Sequence, residues 1–449
     1  MEQTTASTGL DYAGGNISGL FRQIFFPTLA AMVTGALLVI ADGIFVGQGV
    51  GPDGIAAVNI IAPLYMVVTG VGLMFGMGSS VMASVAISQG DNRRGCILFT
   101  QAVALATALI TVLIILLSLF PTATARLLGC SDRLMPHALD YLLWLIPGLF
   151  FCSFQSIGVM LIRLDGSPKY AMVCNITASL VNLVLDWWMV FPLGMGTKGA
   201  ALATSISVAV GALMMLVYFL RYSYIIRFIW SSRRFFSNIF RQACIGASSL
   251  ISELAMSVMM LTGNFVFMRY FAEAGVAAFS IACYLFPVMF MMSQGVAQSA
   301  QPILSYNYGA GLSDRVRAAL GVSVRWATCC GLIATLIIAI PSRQLVGMFI
   351  DPTCEAGVLA SAGLPIFSAC AIFFAVNIAF IGYYQSIELA GRALLMTLLR
   401  GVIFLVPAFL LLPLIISPKV AVWSAIPLAE LLTLIVILIT NRSVKTAKA

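Results

Sequence analysis

Asp42, Asn182, Asp186 and Thr204 are oxygen-bearing side chains set in apolar surroundings. Two carboxylates, an amide and a hydroxyl, with no nitrogen base among them, make a ligand set for a hard cation or for protons held between coupled carboxylates. Asn182 precedes Asp186 by four residues, so the two share one helix face a turn apart. Asp186 lies in the run SLVNLVLDWWMVFPLG (179–194), and no Lys or Arg occurs in the 16 residues before it. A carboxylate in such a run needs a partner, a proton or a cation.

Of 16 acidic residues, Asp42, Asp186, Glu253 and Glu430 fall well inside apolar runs. Burying any of them charged and unpaired is expensive, which makes each a functional candidate. Glu253 stands about nine residues up its helix, near mid-membrane. A carboxylate there, facing a cavity of Phe and Met side chains, suits an amphipathic cation; a neutral carboxyl hydrogen-bonded between helices is the competing reading. Gln298 and Gln301 join it as candidate substrate-binding residues. Glu430 is also at mid-depth but has no polar company in its surroundings, and no basic residue is placed at membrane depth to neutralise these acids. Asn182 and Thr204, taken singly, fit helix-packing hydrogen bonds as well as ion ligation. Their value lies in the constellation. Asp42 and Asp186 nearer the outer interface would simply face water.

The surroundings must be a membrane. The chain is 61% hydrophobic and 9% charged, with a mean hydropathy of +1.04, whereas soluble domains carry about 25% charged residues. Apolar runs near or above the roughly 20 residues needed to cross a bilayer recur along all 449 residues. The sequence predicts an all-α polytopic membrane protein. The start, MEQTTASTGLDYAGGN, has no apolar h-region and does not read as a signal peptide. Ten scattered cysteines without a C-x-x-C or Cys/His cluster read as small packing residues. No phosphate-binding G-x-x-x-x-G-K-[ST] occurs, which argues against an ATP-driven pump. The single histidine, His137, falls in an outer loop, and no nucleophile/base set or metal cluster suggests an enzyme or a cofactor. Rings of repeated polar residues, expected of a channel, are not evident.

Polar and Gly/Pro breaks place twelve helices at roughly 20–47, 55–88, 96–120, 138–162, 170–191, 200–220, 243–268, 276–304, 318–340, 359–386, 393–416 and 420–440. With both termini cytoplasmic, 18 of the 24 basic residues fall at inner ends and loops, Arg400 among them, and 6 outside. The positive-inside rule favours this orientation. It also accounts for the net charge of +8 without nucleic acid. Residues 221–242, RYSYIIRFIWSSRRFFSNIFRQ, form a cytoplasmic linker, either amphipathic and lying on an anionic leaflet or a solvated basic loop. The linker divides an N-terminal six-helix lobe (1–220) from a C-terminal one (243–449).

The lobes repeat. GIAAVNI (54–60) matches GVAAFSI (275–281) at an offset of 221, and the same offset carries Pro192 onto Pro413. An even helix number per lobe makes the copies parallel. Two parallel six-helix bundles around a central cleft suit transport by rocking one bundle against the other. Asp186 lies about 16 residues, roughly 24 Å, up a helix rising from the inside, and Asp42 is at a similar depth. Thr204 is about one turn into its helix from the outer side. Under the repeat, Asp42 maps to Gly263, Asn182 to Ile403, Asp186 to Pro407 and Thr204 to Ala425. The second lobe keeps the scaffold and lacks the site.

Three stretches carry a family resemblance. ADGIFVGQGVGPDGIAAVNIIAP (41–63), NLVLDWWMVFPLGMGTKGAALAT (182–204) and above all QGVAQSAQPILSYNYGAG (294–311) resemble multidrug and toxic compound extrusion (MATE) transporters, in their prokaryotic branch. The resemblance spans nearly the whole chain. It implies efflux of organic cations and drugs across the plasma (inner) membrane, driven by entry of sodium ions or protons, in a protein expected to be monomeric. It places Asp42, Asn182, Asp186 and Thr204 at the family's N-lobe cation or proton site, with sodium held by Asp42 and Asp186, and Glu253 at an acidic position common in helix 7. One departure is Asn377 in helix 10, where some members have an acid; this disfavours a C-lobe sodium site. Two rivals remain: the major facilitator superfamily, suggested by GDNRRG (90–95), and a lipid-linked sugar flippase.

Overall fold

The computed structural model describes residues 10–446, apart from the side chains of residues 39, 43, 52, 53, 55 and 442–446. The first nine residues of the stretch read against a signal peptide, the side chains of Arg442 and Lys445, and Lys448 therefore lie outside the described residues.

All regular secondary structure among the described residues is helical. The helices are α1 (Ile17–Gly49), α2 (Pro52–Ser88), α3 (Asn92–Leu119), α4 (Pro121–Leu127), α5 (Met135–Leu164), α6 (Pro168–Val190), α7 (Gly196–Val217), α8 (Phe235–Gly309), α9 (Ser313–Ala339), α10 (Ser342–Gly347), α11 (Glu355–Ser368), α12 (Cys370–Ser386), α13 (Ala390–Leu398), α14 (Leu405–Ile415) and α15 (Pro418–Thr446). Asn16 caps α1 by accepting from the backbone N–H groups of Ser18 and Gly19. Proline stands in the first turn of α2, α4, α5 and α6, where its missing N–H costs nothing.

Eleven runs among the described residues are long and apolar enough to cross a membrane. One of them, α8, has 75 residues, about 112 Å of helix against a hydrocarbon core of about 30 Å. It breaks at Ala272, whose φ of 49° and ψ of −145° are not helical, so it supplies two spans and brings the count to twelve. The 221-residue offset is visible in these bounds. Pro52–Ser88 lands on the second arm of α8, 273–309, and the start of α3 at Asn92 lands on the start of α9 at Ser313. Gly90 and Gly311, related by the same offset, both turn the chain with positive φ (83° and 74°).

The chain forms two compact units. Unit 1 comprises residues up to 250 together with 302–316; unit 2 comprises 251–301 and 317 onward. In unit 1, α5 is the central helix, packed on α2 and α7, with α6 joining α7 to α1. Its end near Arg163 is tied down by polar contacts to the N-terminal segment. Tyr12 donates its hydroxyl to the Arg163 carbonyl at 2.9 Å. Arg315 Nη2 donates to the carbonyls of Tyr12 and Gly15 at 3.0 and 2.7 Å, and Asn307 Nδ2 to that of Tyr12 at 3.1 Å. In unit 2, α15 packs against α11, α12 and α14.

Part of the linker is pinned to unit 1 by hydrogen bonds, while its arginines and the rings of Trp230, Phe236 and Phe240 stay exposed. Residues 223–234 run without regular helix as a strap across unit 1, and helix resumes at Phe235. Asp165, just past the end of α5, accepts from the Tyr218 hydroxyl at 2.7 Å and from the backbone N–H groups of Tyr224, Ile225 and Ile226 at 2.7 to 2.9 Å. Thr100 Oγ1 accepts from Ile229 N, and Gln101 Nε2 donates to the Ser231 carbonyl. Three of the four donors on this carboxylate are backbone groups that would otherwise need water or helix.

Candidate functional site

The four polar residues picked out in unit 1 are placed by α1, α6 and α7. Gly49 of α1 lies so close to α6 that a Cβ on it would meet Val190 Cγ1 at 2.1 Å. Val190 is one turn beyond Asp186 on the same helix face, and Gly49 is two turns beyond Asp42 on α1, so this contact sets the two aspartates facing one another. Their charges act on each other. Asp186 and Asn182 are 1% and 4% exposed.

The site is left short of partners. Asp42 Oδ1, both carboxylate oxygens of Asp186 and Asn182 Nδ2 are buried without a hydrogen bond among the described residues. Asn182 lies beside Asp186 but closes no hydrogen bond of ordinary length to it. A buried polar atom left unpaired costs about 1–3 kcal/mol, and a charged one more. Three orphaned carboxylate oxygens from two helices therefore fit a proton or a hard cation between them.

Thr204 is placed differently from the other three. Its Oγ1 donates to the Ala200 carbonyl at 3.1 Å, one turn back on α7, and makes no hydrogen bond to either aspartate. A hydroxyl inside a membrane helix finds its own backbone more readily than a distant carboxylate. Its lone pairs are left to accept. Tyr141 of α5 was not anticipated. Its phenol is 8% exposed and interacts electrostatically with both Asp42 and Asp186. A tyrosine in an apolar helix reads as an interface anchor, and only the packing of α5 at the centre of unit 1 brings it to the carboxylates.

Unit 2 corrects two expectations, that Glu430 lacks polar company and that no basic residue neutralises the membrane acids: Arg400 and Glu430 are 6% and 3% exposed and paired. Arg400 Nη2 meets Glu430 Oε1 at 2.9 Å, and Arg400 Nε donates to Oε1 and Oε2 at 3.0 and 3.3 Å. Asn377 Nδ2 donates to Glu430 Oε2 and to the Glu430 carbonyl, both at 2.8 Å. The guanidinium carbon stands 4.2 Å from the centre of the Phe374 ring. The physical reason is local. Leu399–Ile403 forms a π-helical turn between α13 and α14, which changes the direction of the side chain from that of a regular helix. Glu253 is half-buried in the first arm of α8. Gln298 and Gln301 are buried in its second arm, at 5% and 1% exposed.

The MatE family model matches residues 27–188 and again residues 249–411, one copy in each half of the chain. The chain belongs to the MatE family. Its membrane-spanning helices and this match make it a multi-pass membrane protein of that transporter family. Among curated relatives, the multidrug export protein MepA of Staphylococcus saprophyticus subsp. saprophyticus is 25% identical over 88% of both chains. MepA of Staphylococcus aureus strain NCTC 8325 is 23% identical over 94% of both. Among solved structures, a MATE transporter in complex with MaL6 superposes with a TM-score of 0.91 at 22% identity, over 98% of this chain and 99% of that one. An outward-facing multidrug resistance MATE transporter of the MOP superfamily matches with a TM-score of 0.91 at 23% identity over 98% of each. The family match leaves the major facilitator reading of GDNRRG without support. In the structure that stretch is a turn, with Asp91 capping α3 by accepting from Arg94 N at 2.9 Å.

Proposed function

We propose that this MatE protein is an antiporter that exports amphipathic organic cations and drugs by alternating access, coupled to protons or sodium ions. The buried carboxylate oxygens left unpaired at Asp42 and Asp186 carry the reading. Two carboxylates facing each other at low dielectric cannot both stay charged without a proton or a cation. Filling and emptying that site biases the equilibrium between inward-open and outward-open states, and so does the drug, which couples the two.

In this reading Asp42 and Asp186 exchange the ion, Asn182 and Thr204 complete its oxygen ligands, and the Tyr141 phenol donates to whichever carboxylate is charged. Glu253 supplies the negative charge for the cationic substrate, with Gln298 and Gln301 as polar contacts. The multidrug export named for the MepA relatives supports drugs as the substrate class. The protein works as a monomer in the plasma membrane with cytoplasmic termini, an orientation supported by the distribution of its basic residues.

Transport into proteoliposomes, with a proton gradient and a sodium gradient imposed separately, tests the reading. One of the two should drive a cationic dye uphill. Uptake that follows neither would sink it.

A further inference from the structure

Besides the aspartate site, unit 2 holds a charged cluster that ion exchange does not use. A cavity there is lined by Ser252, Met256, Met259, Phe286, Arg400 and Glu430, among others. About 20 Å³ of it is open to the centre of a water molecule, room for a single water beside the ion pair.

The Arg400–Glu430 pair is a poor choice for stability alone. Taking both charges out of water offsets most of their attraction, and apolar residues of similar volume serve a core as well. Unit 2 nevertheless places both charges at a cavity wall and uses a π-helical turn, a feature common at functional sites, to deliver one of them. The cluster is also incomplete. Asn377, which holds Glu430, has its Oδ1 buried without a partner, leaving the network one donor short.

The charges decide the class of ligand. A lone cation bound at Glu430 would leave Arg400 unpaired in an apolar setting, and a lone anion bound at Arg400 would strand Glu430. A ligand with both charges replaces one ion pair by two and leaves neither group alone. The rest of the lining includes Met256, Met259, Phe286 and Phe290. The thioethers are flexible enough to move aside for an apolar body, and the rings offer faces to stack on.

We propose that the Arg400–Glu430 pair is a head-group subsite for a zwitterionic amphipath, whose anionic group takes Arg400 and whose ammonium takes Glu430. Water fills the cavity between ligands, and Met256 and Met259 swing to admit the apolar part. Glu253 is not among the residues lining this cavity, and the subsite does not depend on which ion drives transport.

Three probes with one fluorophore separate the classes: Nε-dansyl-lysine, a zwitterion; dansylcadaverine, a cation; and dansylglycine, an anion. Each is titrated into the full-length protein in detergent. The wild type should bind dansyl-lysine more tightly than either singly charged probe. The double variant Arg400→Met with Glu430→Leu removes both charges while keeping the volume apolar. It should lose about tenfold or more in dansyl-lysine affinity and keep its affinity for dansylcadaverine. A smaller loss, an equal loss for both probes, or a wild type that prefers a singly charged probe overturns the proposal. Should the double variant fail to purify as a single species, Met256→Trp fills the cavity with the ion pair intact, and the same criteria apply to it.

Discussion

Gly49 of α1 and Val190 of α6 approach so closely that no side chain fits between them, with only 2.1 Å from a built Cβ to Val190 Cγ1. This contact holds Asp42 and Asp186 face to face. Valine is stiff at χ1, so the helix and not the side chain must yield to an added methyl group. Gly49→Ala should destabilise the protein by about 1–3 kcal/mol, as overpacking does, and should lower coupled transport. Val190→Ala on top of it should restore both. Normal transport by Gly49→Ala alone would show that the close approach is not required.

Asp165 fixes the strap that follows α7, by accepting the backbone N–H groups of Tyr224, Ile225 and Ile226. Asp165→Ala leaves those donors without their acceptor, at about 1–3 kcal/mol. Hydrogen exchange at the three amides should become much faster than in the wild type, with exchange in α5 little changed. Unaltered exchange at 224–226 would mean that other contacts hold the strap.

The orientation can be read at the same strap. Ser232 is exposed within it. In a background whose accessible native cysteines are replaced, a cysteine at 232 should resist impermeant maleimide applied to intact cells and react in inverted vesicles. Ready labelling from outside would reverse the topology.

Glu253 is assigned to substrate charge. Glu253→Gln keeps the shape and removes the charge, so efflux of cationic dyes should fall by about tenfold, while neutral substrates are spared. Equal losses for both would assign Glu253 to packing.

Much of the aspartate site is legible in the sequence because acids are scarce there. Asp42 and Asp186 stand out in runs of apolar residues, and the four-residue spacing of Asn182 and Asp186 reads directly as one helix face. The MatE stretches were legible for a similar reason, since Gly, Gln and Asn at fixed positions in a membrane helix need a cause. Tyr141 was not legible. Its role comes from the packing of α5 against two other helices, and nothing in its neighbours announces that. The pairing of Arg400 with Glu430 is not legible, since nothing in the sequence shows that the guanidinium packs inward between helices. Glu430 reads as solitary in the sequence because its partner lies 30 residues away on another helix. The anchoring of the strap is not legible either. Its Arg and aromatic content describes what it could lie on, whereas its path is set by side chains outside it, Asp165, Thr100 and Gln101.

The central claim is that Asp186, with Asp42, exchanges the coupling ion. Asp186→Asn is close to isosteric and takes away the charge that would hold a proton or a cation. The direct measurement is uphill uptake of a cationic dye into proteoliposomes under the driving gradient, wild type against Asp186→Asn. Dye binding in detergent is followed in parallel as a check on folding. The account predicts that binding persists without its dependence on pH or sodium, while gradient-driven accumulation falls to the level of empty liposomes. Accumulation by Asp186→Asn at the wild-type rate would contradict it and would place the coupling site elsewhere.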